Sequence, residues 1–157
     1  MRTLVIYDSF FGNTEQIARA VGSALGLPDQ VGIFRVSDVK LEQLAGMNLL
    51  IVGSPTRGFR PSPAIVDLLK GMPPNALHGV KVAAFDTRIA TSDIKSAALR
   101  IMVNFGGYAA APIAAQLKKK GGELVAPPEG FFVQDREGPL KPGELERAAK
   151  WAAQLLA

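Results

Sequence analysis

Thr3-Leu4-Val5-Ile6-Tyr7-Asp8-Ser9-Phe10-Phe11-Gly12-Asn13-Thr14-Glu15-Gln16-Ile17-Ala18 decides the reading of this chain. Thr3–Tyr7 is a compact β-type run that gives way to polar Asp8-Ser9. From Thr14 to Leu25 the apolar residues Ile17, Val21 and Leu25 recur at helical spacing, and Gly26 and Pro28 end the helix. Between strand and helix lies a loop with the chemistry of a phosphate cradle. Ser9 and Thr14 supply neutral hydroxyl donors. Gly12 permits a positive φ and close backbone approach. A helix beginning near Asn13 or Thr14 aims its unpaired amides and its dipole at an anion. The loop holds no Lys or Arg, so such a site works by oriented dipoles rather than full charges. The plainer alternative is an ordinary strand–helix turn capped by Asn13 or Thr14.

Outward from this stretch, short apolar runs alternate with amphipathic ones. Val31–Val36 reads as a second strand, with Ser37/Asp38 offering caps for a short helix through Leu44. Asn48–Val52 is continuously apolar, as in a strand buried on both faces, and Gly53-Ser54-Pro55-Thr56 breaks it. Pro61–Leu69 reads as a helix with Ile65, Leu68 and Leu69 inward, closed by Gly71-Met72-Pro73-Pro74. Lys81–Phe85 is a fourth strand ending at Asp86-Thr87. Asp93–Val103 reads as a helical turn or two, with a turn at Gly106-Gly107, and Ala110–Lys120 as a helix. A fifth strand covers Glu123–Val125, is interrupted at Pro127-Pro128 and continues at Phe131–Val133. Glu144–Leu156 is a last amphipathic helix built on Leu145, Ala148, Ala152 and Leu155. Five strands alternating with helices predict an α/β fold: one doubly wound, five-stranded parallel sheet with helices on both faces, a single domain over residues 1–157. Ligands of such folds sit beyond the carboxyl ends of the strands, where the strand order switches.

The 157 residues match one domain, and 48% hydrophobic content supplies a core. The net charge of +4 implies a weak attraction to anionic partners. The basic residues are scattered apart from Lys118-Lys119-Lys120 and are not interleaved with aromatics, so no nucleic-acid partner is expected. There is no cysteine, which rules out disulfides, thiolate metal sites and cysteine catalysis. The apolar run after Met1-Arg2 is too short for a signal peptide or a membrane span, so no membrane association and a cytoplasmic location are expected.

Other motifs fail. No lysine follows the glycine of the first loop, so it is not a nucleotide-triphosphate loop, and no Gly-x-Gly-x-x-Gly is present. Asp8 ends the first strand, but the third ends in Gly53-Ser54 without an Asp, against a phospho-acceptor receiver. No Ser-His-Asp set, carboxylate pair or metal-ligand cluster converges at one end of the expected sheet. His78, the single histidine, precedes Gly79 at a strand entrance, away from the ligand end. Trp151 on the last helix reads as packing.

The stretch Leu4–Ala18 resembles the flavodoxin family. The resemblance continues through Gly53-Ser54-Pro55-Thr56, Phe85-Asp86-Thr87-Arg88, and Phe132-Val133 followed by Gly138-Pro139-Leu140 and a terminal helix. It implies the five-stranded flavodoxin-like fold, non-covalent FMN and electron transfer with redox partner proteins. The short run between strand five and the last helix is similar to short-chain members. By position, the resemblance implies that Ser9, Gly12, Asn13 and Thr14 bind the FMN phosphate, with Phe10 and Phe11 adding backbone amides. Ser54, Pro55 and Thr56 form a second loop, with Arg57, Gly58 and Phe59 through Arg60 beside the ring. Asp86, Thr87 and Arg88 through Ile89 form a third. Asp86 has two readings, a turn cap or an organiser of the third loop.

Two departures from the family stand out. The family flanks the flavin with aromatics from the second and third loops; here Phe59 stands in the second and no aromatic follows Asp86 in the third. One flavin face is then covered by Arg88 or Ile89, or left open to a substrate, and Phe59 itself reads either as a ring wall or as a side chain tucked against the next helix. Flavodoxins are also acidic, whereas Arg57, Arg60 and Arg88 crowd the expected flavin edge here. An unscreened arginine contact would favour negative charge on the ring by about 1–4 kcal/mol, making the two-electron potential less negative. Three functions follow: an FMN electron carrier with acidic partners, an FMN-dependent NAD(P)H or quinone-type reductase, or a non-redox relative holding another phosphate ligand.

Overall fold

A computed structural model describes residues 1–90, 93–94, 96–98 and 107–156. The strands are β1 (Thr3–Tyr7), β2 (Val31–Arg35), β3 (Leu49–Pro55), β4 (Lys81–Ile89), β5 (Glu123–Leu124) and β6 (Glu129–Val133). The helices are α1 (Asn13–Leu25), α2 (Pro63–Gly71), α3 (Ala110–Lys119) and α4 (Glu144–Gln154). The expected helical turns across Asp93–Val103 and the Gly106-Gly107 turn fall mostly outside the described residues.

The sheet is parallel, in the order β2-β1-β3-β4-β5, with β6 also paired to β4. The fifth strand of the sequence reading is thus two short strands on one edge. β5 pairs with the start of β4 and β6 with its end, Phe85↔Glu129 to Ile89↔Val133, and Val125–Pro128 lie between. Prolines 127 and 128 have no N–H to give to a ladder, which is why the edge breaks there.

Two core clusters sandwich the sheet. Leu4, Ile6, Leu50, Val52, Val82 and Ala84 pack with Ile65 and Leu69 of α2 and Ile113 and Leu117 of α3. Val5, Tyr7, Ile51, Ala83, Phe85 and Phe131 pack with Ile17 and Val21 of α1 and Ala148, Trp151 and Ala152 of α4. The alternation along each strand splits its residues between the two layers. Trp151 stands edge-on to Phe85 and Phe131, with the three ring centroids 5.9–6.0 Å apart.

Several boundaries differ from the sequence reading. The expected helix through Leu44 is two separate 3-10 turns, Val36–Asp38 and Leu41–Leu44, with extended backbone at Val39 and Lys40 between them. Helix α2 starts later than Pro61 because Ser62, whose hydroxyl accepts from the Ile65 amide, is its N-cap. On α4, Leu145 faces solvent, and Glu144 turns inward in its place. The largest change is that β3 and β4 run on through Ser54-Pro55 and Asp86–Ile89, because Ser54 pairs with Asp86, and β6 continues to support β4 as far as Ile89.

Candidate functional site

The carboxyl ends of β1, β3, β4 and β6 open on one cleft. Ser9, Phe10, Phe11, Asn13, Thr14, Pro55, Thr56, Arg57, Thr87, Arg88, Ile89, Val133 and Arg136 line it. It lies at the β1–β3 boundary, where the sheet order reverses.

The Ser9–Thr14 loop forms one end of it. Gly12 is the N-cap of α1 at φ +92°, a left-handed conformation that costs a side-chain-bearing residue about 1 kcal/mol or more. The Ser9 hydroxyl accepts from the Gly12 amide at 3.1 Å and the Glu15 amide at 3.4 Å, which leaves its own proton to donate elsewhere. The Thr14 and Thr87 hydroxyls are 2.7 Å apart, so one proton of that pair is likewise left over. The amides of Phe10, Phe11, Asn13 and Thr14 meet no acceptor among the described residues. Asn13 donates its side-chain amide to the Glu137 carbonyl at 3.1 Å, tying the loop to the segment after β6. An oxyanion at this helix start is offered at least four amides and two hydroxyls, the donor set for a phosphate.

Arg57 and Arg60 exchange backbone hydrogen bonds of 2.9 and 3.0 Å around a tight turn whose central residues, Gly58 and Phe59, both have positive φ. That turn presents Phe59 to a second hollow beside the cleft, shared with Thr56, Arg88 and Ile89 and closed by Ile94 and Tyr108. Three hydrogen bonds bring the segment at Tyr108 here. The Tyr108 hydroxyl donates to the Ile89 carbonyl at 3.3 Å, the Ala109 amide to the Thr56 hydroxyl at 3.1 Å, and the Ala110 amide to Asp86 at 2.9 Å.

Solved structures decide the fold. A flavodoxin from the domain Archaea superposes at TM-score 0.74 with 21% identity, covering 99% of this chain and 96% of that one. Oxidised flavodoxin 2 from Bacillus cereus superposes at TM-score 0.76 with 21% identity, covering 99% and 98%. The fold is flavodoxin-like. A short-chain flavodoxin associated with a non-canonical PDU bacterial microcompartment matches at TM-score 0.71 and 18% identity over 99% of this chain and 97% of that one. In sequence, a curated flavodoxin from Picosynechococcus sp. (strain ATCC 27264 / PCC 7002 / PR-6) is 44% identical over 45 residues. That match spans 29% of this chain and 26% of the relative, about a quarter of its length. No family model matches the chain.

Within this flavodoxin-like frame, Ser9, Phe10, Phe11, Asn13, Thr14, Pro55, Thr56, Arg57, Thr87 and Arg88 meet in the cleft, and Gly58 and Phe59 face the adjoining hollow. Gly12 shapes the loop from its N-cap position. Ser54 and Asp86 do not reach the wall: both are fully buried and spent on internal bonds. The Ser54 hydroxyl accepts from the Ser62 amide and donates to the Pro55 carbonyl.

Asp86 receives both arms of the Arg88 guanidinium at 2.7 Å and the Ala110 amide. Burial pushes its carboxyl above the usual range, against the pull of those donors. The same pairing changes the expectation for the flavin edge. Arg88 is held by a carboxylate and lies over the Tyr108 ring at 3.8 Å, and Arg57 lies over Phe10 at 4.8 Å. Arg60 does not line the cleft. Of the three arginines, Arg88 alone is paired with a carboxylate among the described residues, and Arg57 keeps its charge at the cleft wall. Arg88 reaches this position because Gly130 has no side chain; a Cβ there would stand 2.0 Å from its Nε.

Tyr108, Ile94 and Arg136 line the two hollows without having been singled out in the sequence. Tyr108 supplies an aromatic where the third loop has none. Thr56 and Asp86, the residues that fix its segment, were the available signal, but neither names its partner in sequence. Among the described residues no group of His, Asp or Glu is placed to hold a metal, and no helix is long and apolar enough to cross a membrane.

Proposed function

We propose that the protein binds FMN non-covalently and carries electrons between redox partner proteins. The observation that supports this best is the helix start at Gly12-Asn13-Thr14. Four amides without an acceptor among the described residues and two spare hydroxyl protons lie there, at the end of a cleft lined also by Thr56 and Thr87 and next to an aromatic hollow.

Ser9, Asn13, Thr14 and the Phe10 and Phe11 amides hold the phosphate. Thr56 and Thr87 line the path between, and Phe59 and Tyr108 stand at the two sides of the ring. Bound FMN supplies one- and two-electron redox chemistry, and the protein supplies binding, orientation and electrostatics. The Asp86–Arg88 pair fixes one wall at little net charge, so any effect of arginine on the ring potential comes from Arg57 and Arg136 rather than from Arg88. Phe10 and Phe11, each nearly half exposed, border the mouth of the cleft and give a partner an apolar point of approach. The net charge of +4 favours acidic partners.

The visible absorption spectrum of purified protein, before and after addition of FMN, tests the reading. A flavin spectrum perturbed from free FMN is expected. A protein that stays colourless after FMN is added and the excess removed would sink it. Steady turnover of NAD(P)H by the purified flavoprotein would shift the function from carrier to reductase.

A further inference from the structure

We infer that Arg35, at the end of β2 and outside the cleft, is a positioning residue for the phosphate. It acts by neutralising two carboxylates that flank the phosphate loop and by bonding the carbonyl behind it. The inference rests on the phosphate reading above. The loop holds no cation of its own, yet Asp8 precedes it and Glu15 follows it, so its near surroundings are acidic. Asp8 is almost fully buried, and its Oδ1 accepts the Ser9 amide at 2.9 Å. An anion held by neutral dipoles next to two carboxylates would be repelled unless something offset them.

Arg35 is placed to do so. Its Nη1 lies 3.7 Å from Asp8 Oδ1, and its Nη2 donates to Glu15 Oε1 at 3.4 Å. Nη1 also donates to the Ser9 carbonyl at 2.8 Å. Tyr7, under the guanidinium at 5.3 Å, limits where it can go. The bond to Ser9 has a second effect. The Ser9 carbonyl and the Phe10 N–H belong to one peptide unit. A cation on the oxygen polarises that unit and strengthens the N–H on its other side. The Phe10 amide has no acceptor among the described residues and borders the cleft. Arg35 thus strengthens a donor it never touches. Arg19, on the outer face of α1, pairs with the other Glu15 oxygen, at 2.9 Å, and makes no ion pair with Asp8 among the described residues.

The test compares FMN with riboflavin, which has the ring and ribityl chain but no phosphate, binding to wild type, Arg35→Gln, Arg35→Lys and Arg35→Gln/Glu15→Gln. Affinities come from quenching of flavin fluorescence, with thermal melts as a check on folding. Arg35→Gln is expected to weaken FMN about tenfold and leave riboflavin unchanged. Adding Glu15→Gln should recover part of the loss by removing one flanking charge. Arg35→Lys, with charge but no fork, should fall between. Unchanged FMN affinity in Arg35→Gln, or equal weakening of FMN and riboflavin, would overturn the inference; the latter marks a merely structural role. A wild type that binds FMN no more tightly than riboflavin defeats the phosphate reading itself, a result distinct from both.

Discussion

Phe59 holds φ at +67°, a conformation that bulky residues adopt only under constraint. The hydrogen bonds between Arg57 and Arg60 impose it, and the result is a ring held in the lining of the hollow that Tyr108 also lines. Phe59→Gly would relieve about 1 kcal/mol of backbone strain while losing a half-buried ring. Its folding stability should therefore stay within about 1 kcal/mol of wild type in urea unfolding. FMN and riboflavin should both bind about tenfold more weakly, because one stacking partner is gone. Unfolding that is strongly destabilised with flavin affinity intact would show that Phe59 packs the protein and not the ring. This signature is the inverse of that for Arg35, where only the phosphate-bearing ligand responds.

At the scale of elements, the cleft depends on how β6 and α4 are fastened together. Glu144 begins α4, accepts the Phe132 amide at 2.7 Å and is gripped by Arg147 at 2.7 and 2.9 Å. Burial alone would raise the Glu144 carboxyl; the guanidinium and the amide more than offset it and hold it below the usual range. A carboxyl with a depressed folded-state pKa stabilises the fold above its unfolded value, near 4.3, and loses that contribution as pH falls through the folded value. Glu144→Gln should therefore cost about 1–2 kcal/mol at neutral pH, an amount limited by the partial exposure of Arg147. The gap to wild type should narrow as pH falls through the folded-state pKa, below the usual carboxylate range. Urea unfolding at several pH values measures it, and a gap that does not change with pH would refute the charge-based account. Much at this scale was legible in the sequence. Thr3–Tyr7 is the first strand as read, because an apolar run next to a glycine-bearing loop has few alternatives. The ends of β3 and β4 were not legible. Ser54-Pro55 and Asp86-Thr87 look like loop starts locally, and only pairing between distant strands extends them. Tyr108 was hidden for the same reason, since its place depends on Thr56, Asp86 and Ile89 far back in the chain.

For the whole molecule the decisive quantity is charge. Arg88, Lys141 and Arg147 are each paired with a carboxylate, whereas Arg57 and Arg136 line the cleft without an ion-pair partner among the described residues, so part of the excess open to a partner lies at the cleft. Electron transfer to an acidic protein partner should slow as ionic strength is raised from about 0.05 to 0.5 M, over which the screening length shrinks several-fold. Stopped-flow rates across that series measure the effect, and faster transfer to a basic partner than to an acidic one would refute the expected polarity. Net charge was readable from composition, and the strand–loop–helix form of Thr3–Leu25 from its pattern. The pairing of Arg88 with Asp86 was not, because the two share a strand face only once β4 runs on past Phe85, and that extension comes from pairing with β3 and β6.

The break between β5 and β6 also bears on what the molecule does in a crowd of its own copies. A parallel sheet ends in flanks of unused amides and carbonyls, and a second chain laid along such a flank can extend it. Here that flank is two short ladders separated by Val125–Pro128, two successive residues of the gap have no N–H to offer, and β6 already bonds Glu144, Lys141 and Arg147 along its outer edge. A neighbour could not dock in continuous register along it. The interruption that narrows the sheet thereby guards one of its sides against runaway strand addition, and it does so close to the cleft, where β6 must stay in place to support β4.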